Sequence, residues 1–174
     1  NGQDTGLLRR NRQESMNSEP EAELDAERRL LVSTTAAEPQ IVGVIDNADG
    51  FHGSFVSSQI GQPGGDGSNT VGVARHVRLI QKTLGGDTVV SNRIWELVQE
   101  GATIINLSFG WDGRTYPAKT IAAMRDNPNV IFTVAGANSN WNIDDPAIYD
   151  SLCQCQLPNV ICVASSTKAD AKMN

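Results

Sequence analysis

The chain has 174 residues, 39% of them hydrophobic and 20% charged, and its 20 acidic and 14 basic side chains give a formal net charge of −6. That length suits one globular domain with its own core. The acidic balance argues against nucleic acids and anionic membranes, because binding either requires a positively charged face. No apolar run approaches the roughly 18–20 residues that cross a bilayer, so we expect neither a nucleic acid nor a membrane as partner.

The composition changes near residue 40. Residues 1–38 contain five Arg and eight Asp or Glu but no aromatic residue, and only the stretch from about Glu21 to Val32 has an amphipathic helical pattern. We therefore predict a polar N-terminal arm or propeptide-like segment over residues 1–38. The folded domain is predicted over residues 39–174.

Apolar runs alternate with helical patterns after residue 40. Runs typical of strands buried on both faces occur at Ile41–Ile45, Val77–Ile80, Thr103–Leu107, Val130–Ala135 and Asn159–Ala164. Helical patterns lie between them at about Gly53–Ile60, Val89–Glu100 and Pro117–Asp126. This alternation predicts an α/β fold, a doubly wound and mostly parallel sheet with helices on both faces. Its functional crevice is expected at the carboxyl ends of the strands.

Two features of this segment concern packing. Trp95 lies beside Leu97 on the second helix and is predicted to be in the core. Cys153, Cys155 and Cys162 are too few and too clustered for a disulfide framework, and no fourth Cys or His lies near enough for a zinc site. We expect the cysteines to be small apolar fillers, with at most one bridge to something outside this chain.

An acidic and an imidazole side chain bracket the turn after the first strand. Asp46 ends that strand, and His52 opens the following helix six residues later. A carboxylate can orient an imidazole and support its charged form, so that the imidazole accepts the proton of a nucleophile. Taken alone the pair is weak evidence, because a helix-capping Asp beside a surface His is the common alternative. Asp49 is a rival partner for His52.

Several short motifs occur in an order that resembles subtilisin-like serine proteases. They are IVGVID at 41–46, HGSFVSSQIG at 52–61, VGVA at 71–74, NLSFG at 106–110, AGAN at 135–138 and PNVICVA at 158–164. The resemblance covers about residues 41–172. No single motif is decisive, and their order and spacing together carry the resemblance.

The resemblance implies a role for each matching residue. Asp46 and His52 would be the aspartate and histidine of a catalytic triad. Ser108, Phe109 and Gly110 would pair with the substrate backbone near its primary pocket. Asn138 would donate its side-chain amide to the oxyanion of a tetrahedral intermediate, whereas its residue type alone favours an ordinary turn residue.

The sequence also departs from the family pattern. Asn47-Ala48 and Ser54 replace the usual residues after the aspartate and after His-Gly, and only five residues separate Asp46 from His52 where the family has some tens. The family's nucleophile lies in a Gly-Thr-Ser-x-Ala segment, which this chain does not contain. We therefore expect the serine to come from sequence beyond residue 174, so that the domain is incomplete at its C-terminus and the chain alone is inactive.

The predicted function is that of a serine endopeptidase that hydrolyses peptide bonds by acyl transfer. Its expected partners are a polypeptide substrate and the C-terminal remainder of the catalytic domain, and the resemblance implies secretion. A catalytically inactive module that binds peptides or proteins is the alternative. A nucleotide-binding domain is disfavoured, because the turn after the first strand carries Asp46 and Asp49 where a Gly-rich phosphate loop is needed.

No cofactor is expected. A calcium site is conceivable, but its candidate ligands lack a defined spacing. These candidates are Asp144, Asp145 and Asp150.

Overall fold

The computed structural model describes residues 38–48, 50–62, 71–111, 115–139, 142, 144–145, 147–149 and 151–166. Apart from Glu38, these residues belong to the second of the two units into which the chain divides, Pro39–Asn174. The predicted arm over residues 1–38 lies outside the described residues except for Glu38, and it stays a prediction. The rival carboxylate Asp49 also lies outside them.

Strands and helices alternate along the described part of the chain. The elements are β1 (Gln40–Asp46), α1 (Phe51–Gly61), β2 (Val77–Thr83), α2 (Asp87–Gln99), β3 (Ile104–Leu107), α3 (Ala118–Arg125), β4 (Ile131–Ala135) and β5 (Val160–Val163). A 3₁₀ helix, Leu152–Cys155, precedes β5. All strand pairs are parallel, in the order β2-β1-β3-β4-β5. The predicted α/β fold with a parallel sheet is confirmed.

Helices cover both faces of this sheet. A Cβ added to Gly43 of β1 would lie 2.7 Å from the side chain of Leu97, so α2 packs on the face to which Gly43 turns. A Cβ added to Gly53 of α1 would lie 3.3 Å from Asp46 Cβ. Because residues an odd number apart on a strand point to opposite faces, α1 packs on the other face. The sheet is therefore doubly wound.

The core lies between the sheet and the pair α2 and α3. Its largest fully buried side chains include Ile45, Ile94, Leu97, Ile105, Leu107, Met124 and Phe132. Burial of one such side chain contributes about 1.5–3 kcal/mol. This packing fixes the strand ends that carry the candidate site.

Trp95 is not part of that core, and the prediction for it is wrong. Its side chain is 40% exposed, while Val90, Ile94 and Leu97 are the buried residues of α2. Successive residues of a helix are about 100° apart, so a face centred on these three residues turns Trp95 outward.

The face that carries α1 is only half covered by described residues. α1 packs on β1 and β2, whereas Ile131, Ile161 and Val163 on β4 and β5 are 44%, 52% and 54% exposed. The strand register places these three side chains on the α1 face. We call them the open half-face.

The cysteines differ from expectation. Cys153 and Cys162 form a disulfide within the chain, with a Cα–Cα distance of 5.2 Å, so the expectation that these two are only small apolar fillers is wrong. A bridge to something outside the chain stays a prediction. The two meet because the 3₁₀ helix folds back against β5, a contact that their spacing in the sequence does not reveal. Cys155 is a free, partly buried thiol that packs against the core, and burial raises its pKa.

Within the described ranges, every helix falls short of the length and apolar character that crossing a membrane requires.

Candidate active site

Asp46 is a buried carboxylate at the carboxyl end of β1. The strand is apolar up to this point, and Asp46 itself is only 4% exposed. The backbone N–H of Asn47 donates to its Oδ1 at 2.7 Å. A buried carboxylate requires such donors, and Asp46 obtains its second one from the next helix.

That second donor is His52 in the first turn of α1. His52 Nδ1 lies 2.8 Å from Asp46 Oδ1 and 2.9 Å from Oδ2, which confirms the predicted proximity of the two side chains. The His52 side chain is 60% exposed. Since a carboxylate accepts hydrogen bonds, Nδ1 carries the proton, and Nε2 is left to accept one.

Two further residues hold α1 against the sheet, and the sequence did not reveal one of them. Gly53 is buried, and a Cβ there would lie 2.6 Å from the backbone oxygen of Asn47, so glycine allows the helix to approach the end of β1. Gln81 of β2 donates through Nε2 to the Gly53 carbonyl at 2.9 Å and to Ser57 Oγ at 2.5 Å. The sequence carried no signal for this role, because Gln81 follows the apolar run predicted at Val77–Ile80 and stands among other polar residues.

Ser108, Phe109 and Gly110 follow β3 directly, so they lie at the same edge of the sheet as Asp46. Ser108 Oγ accepts a hydrogen bond from Asn106 Nδ2 at 2.8 Å. Asn106 Oδ1 in turn accepts one from Thr133 Oγ1 on β4, also at 2.8 Å. This chain of hydrogen bonds ties the segment after β3 to the neighbouring strand.

A cleft of about 350 Å³ lies near the carboxyl edge of the sheet. It is lined by Leu84, Gly85, Gly86, Asp87, Phe109, Gly110, Trp111 and Thr115. The Leu84 N–H donates to the Asp46 carbonyl at 2.8 Å, which places the cleft next to the end of β1. The rings of Phe109 and Trp111 pack at a centroid distance of 5.9 Å. The cleft therefore has an aromatic wall.

Asp87 is the acidic side chain of the cleft, and its carboxylate accepts hydrogen bonds from α3. Burial opposes ionisation of Asp87, but hydrogen bonds from the N–H and hydroxyl of Thr120 and the N–H of Lys119 outweigh it and lower the pKa. The carboxylate is committed to these donors. The lining that remains for a ligand is chiefly apolar.

Asn138 lies three residues beyond the end of β4 and is exposed. The preceding residue, Ala137, has a left-handed backbone with φ of 66°, which is uncommon for a residue with a side chain. One strand, β3, separates β4 from β1, so their ends lie about 9–10 Å apart. Among the described residues Asn138 shares an edge with Asp46 and His52 without a hydrogen bond to either.

No group of three metal-binding side chains occurs in the part of the chain that the structure describes. Asp145 Oδ1 accepts a hydrogen bond from the Ala147 N–H at 2.9 Å, and the Asp144 N–H bonds to Asn142 Oδ1. Asp150 lies outside the described residues. The calcium site stays a weak sequence-based expectation.

A sequence model described as the subtilase family matches residues 36–173. The chain belongs to the subtilase family. Subtilases are in general serine proteases, so the carboxylate and imidazole at the sheet edge fall within a family that uses such a pair. Comparison of this subtilase with curated proteins gives no sequence match.

Solved structures share the fold of this subtilase. They include the prenylagaramide maturation protease PagA (TM-score 0.55, 17% identity, covering 84% of this chain and 60% of that one). The nisin leader peptidase NisP from Lactococcus lactis gives a TM-score of 0.59 at 16% identity, with coverage of 84% and 60%. A lanthipeptide protease gives 0.51 at 17% identity, with coverage of 85% and 54%. At such identities the likeness shows the fold, and the chain spans 54–60% of the length of these structures.

Proposed function

We propose that this subtilase chain forms part of a serine endopeptidase and supplies its general base, the carboxylate that orients the base, and an oxyanion donor. The observation that carries the proposal is the hydrogen-bonded pair of His52 and Asp46 at the carboxyl edge of the sheet. In the order β2-β1-β3-β4-β5 the winding direction reverses between β1 and β3. Ligands of such sheets bind at that switch point, which is where the pair lies.

The proposed reaction is acyl transfer through a serine supplied by sequence beyond residue 174. His52 Nε2 removes the serine hydroxyl proton as the oxygen attacks the peptide carbonyl, and Asp46 stabilises the imidazolium that results. The imidazolium then protonates the departing amine. A water molecule, deprotonated by the same nitrogen, releases the acid product and regenerates the serine.

Asn138 is proposed to stabilise the negative oxygen of each tetrahedral intermediate. The support is positional, because Asn138 follows β4 and Asp46 ends β1 at the same edge. The gap of about 9–10 Å between these strand ends suits a hydroxyl and a substrate carbonyl placed between base and amide. One amide donor of this kind contributes about 3–4 kcal/mol to transition-state binding.

The substrate is proposed to be a polypeptide that lies along Ser108, Phe109 and Gly110. The adjoining cleft, with the aromatic wall of Phe109 and Trp111, would take an apolar side chain of that peptide. Burial of an apolar side chain in such a cleft supplies binding free energy. The polar backbone of the segment would fix the direction of the chain.

The C-terminal remainder of the domain is proposed to cover the open half-face. Parallel sheets are normally covered on both faces, and Ile131, Ile161 and Val163 leave apolar surface exposed on this one.

Secretion is the proposed localisation. The disulfide between Cys153 and Cys162 supports it, because such bonds persist mainly in oxidising compartments.

Peptide hydrolysis by the longer protein, which includes sequence beyond residue 174, tests the proposal. We expect cleavage of peptides with internal bonds, and loss of cleavage in His52→Ala. His76→Gln is the matched control, because His76 precedes β2 and thus lies at the opposite edge of the sheet, and it should retain activity. A folded longer protein that binds peptides without cleaving them would refute the enzyme and favour a binding module.

A further inference from the structure

We propose that Ser151 and the Cys153–Cys162 disulfide form a clamp that fixes the backbone at the end of β4 and thereby positions Asn138. The clamp consists of these three residues and acts on the peptide unit between Ala135 and Gly136. The inference rests on the proposed oxyanion role of Asn138. Ser151 is a positioning residue in this account, since it acts on the backbone that leads to Asn138.

The first part of the clamp is a buried hydroxyl. Ser151 is 5% exposed, and its Oγ donates to the Ala135 carbonyl at 2.5 Å. The same Oγ accepts a hydrogen bond from the Cys153 N–H at 3.1 Å. Both the proton and a lone pair of the hydroxyl are therefore used, and its direction is set.

The second part is the disulfide, which anchors Ser151 to the sheet. Cys162 lies on β5 directly beside Val134 of β4. Its bridge to Cys153 therefore ties the 3₁₀ helix to β5. Cys153 Sγ lies 3.7 Å from the Ala135 oxygen. This is a packing contact, because a disulfide sulfur has no proton to donate.

The two ends of one peptide unit are held at once. The Ala135 carbonyl accepts from Ser151, and the Gly136 N–H donates to the Val163 carbonyl at 2.8 Å. Carbonyl and N–H belong to the same rigid plane, so these bonds fix its orientation. The plane is where the chain leaves the sheet toward Asn138.

The loop beyond this plane needs such support. Ala137 adopts a left-handed backbone with φ of 66°, a conformation that persists in a residue with a side chain only when its surroundings enforce it. An oxyanion donor must sit within a few tenths of an ångström of its place. Without the clamp, the Ala135–Gly136 plane can rotate, Ala137 can relax and the Asn138 amide moves.

A double-mutant cycle in the longer protein tests the clamp by its effect on catalysis. Ser151→Ala should lower kcat about 10-fold or more with KM little changed, within the roughly 10²–10³ expected for Asn138→Ala. In the Asn138→Ala background, Ser151→Ala should cause no further loss, because its effect passes through the missing amide. The double variant Cys153→Ala/Cys162→Ala should behave likewise. The proposal would be overturned if Ser151→Ala lowered kcat as much in the Asn138→Ala background as in the parent. An unchanged kcat in Ser151→Ala alone would also overturn it.

Asn159 provides a matched control at the opposite end of the same strand. Its Nδ2 contacts the carbonyls of Met124, Asn127 and Val130 before β4 begins, so this side chain also fixes backbone, but at a place remote from Asn138. Asn159→Ala should lower stability. Its effect on kcat should be the same with Asn138 present or absent.

Amide hydrogen exchange measures the effect of the clamp on the backbone and does not depend on peptide hydrolysis. In the longer protein carrying His52→Ala, addition of Ser151→Ala should raise exchange at residues 136–138 several-fold and leave β3 unchanged. Unchanged exchange at 136–138 would overturn the clamp. Faster exchange there, together with a longer protein that retains His52 and still never cleaves peptides, would uphold the clamp and refute the proposed function instead.

Discussion

His52 depends on Asp46 for its tautomer. With both carboxylate oxygens within 2.9 Å of Nδ1, the proton is held on that nitrogen and Nε2 is free to act as a base. The Asn47 N–H donates a further hydrogen bond to Oδ1 of this carboxylate. The buried side of the pair is thus rigid, while the imidazole faces solvent.

Asp46→Asn should abolish the tautomer of His52 that carries its proton on Nδ1, while the new side chain keeps the shape of the old one. The new amide can donate to Nδ1, which shifts the ring proton to Nε2 and removes the base. We expect kcat in the longer protein to fall by about 10⁴. Nitrogen NMR of His52 should show the tautomer change even in the chain of residues 1–174, with the signals of His76 as internal reference. An unchanged His52 tautomer would contradict this account.

Gly86 offers a way to fill the cleft without disturbing the fold. Its φ of −70° suits any residue, and a Cβ there would meet no atom within 4 Å. Gly86→Leu should raise KM at least about 10-fold for peptides with a large apolar side chain in the cleft, with kcat little changed. For a peptide with Gly at that position, the variant and the parent protein should have the same KM. An equal rise in KM for both peptides would show that the cleft does not hold the side chain.

The residues of the site differ in how far the sequence could predict them. Asp46 and His52 are six residues apart, so a strand end followed by a helix start was enough to bring them together. The edge position of Asn138 followed from the strand before it. Ser151 was missed, because its bond to Ala135 joins residues 16 apart and depends on how the 3₁₀ helix folds back.

The Asp87 carboxylate links helices α2 and α3, which also pack together in the core and share a hydrogen bond from Lys119 Nζ to Thr88 Oγ1. Asp87 begins α2, yet it accepts hydrogen bonds from the N–H groups of Lys119 and Thr120 in the first turn of α3. The residue before α3, Pro117, makes no side-chain cap of its own. Asp87 therefore satisfies donors that α3 would otherwise leave unpaired.

Removal of the Asp87 charge should loosen this contact in a pH-dependent way. Asp87→Asn should lower the free energy of unfolding by about 1–3 kcal/mol at neutral pH. The folded-state pKa is lowered from its ordinary 3.8, so the stabilisation is complete above that value and is lost as the pH falls below it, through the folded-state pKa. Urea unfolding of parent and variant over this range measures the difference.

Asp126→Asn is the control for that experiment. Asp126 directly follows α3 and is exposed, and its side chain has no hydrogen bond or ion pair among the described residues. Its substitution should change the free energy of unfolding by no more than about 0.5 kcal/mol. A pH-independent loss in Asp87→Asn would show that its packing, rather than its charge, joins the helices.

Strands and helices were predictable because each carries a local pattern. The five apolar runs and three helical stretches all correspond to elements of the structure. The 3₁₀ helix has no such pattern. The Cys153–Cys162 bridge depends on where this helix lies, so the sequence did not predict the bridge either. Trp95 was misplaced because nearness to Leu97 in the sequence is not the same as sharing its helix face.

At the scale of the whole molecule, the fold brings the candidate site together and leaves part of one sheet face uncovered by the described residues. The carboxyl ends of β1, β3 and β4 meet at one edge, which collects Asp46, Ser108 and Asn138. Beside them, the open half-face leaves three aliphatic side chains exposed. The proposed remainder would cover this surface and bring the serine to His52.

The most direct test is labelling with a fluorophosphonate, which reacts only with an activated serine. We expect the longer protein to be labelled at a single serine beyond residue 174, His52→Ala to abolish labelling, and residues 1–174 alone to stay unlabelled. Labelling of residues 1–174 would reveal a nucleophile within the chain. A folded longer protein that is never labelled would contradict the central claim that His52 and Asp46 activate a serine.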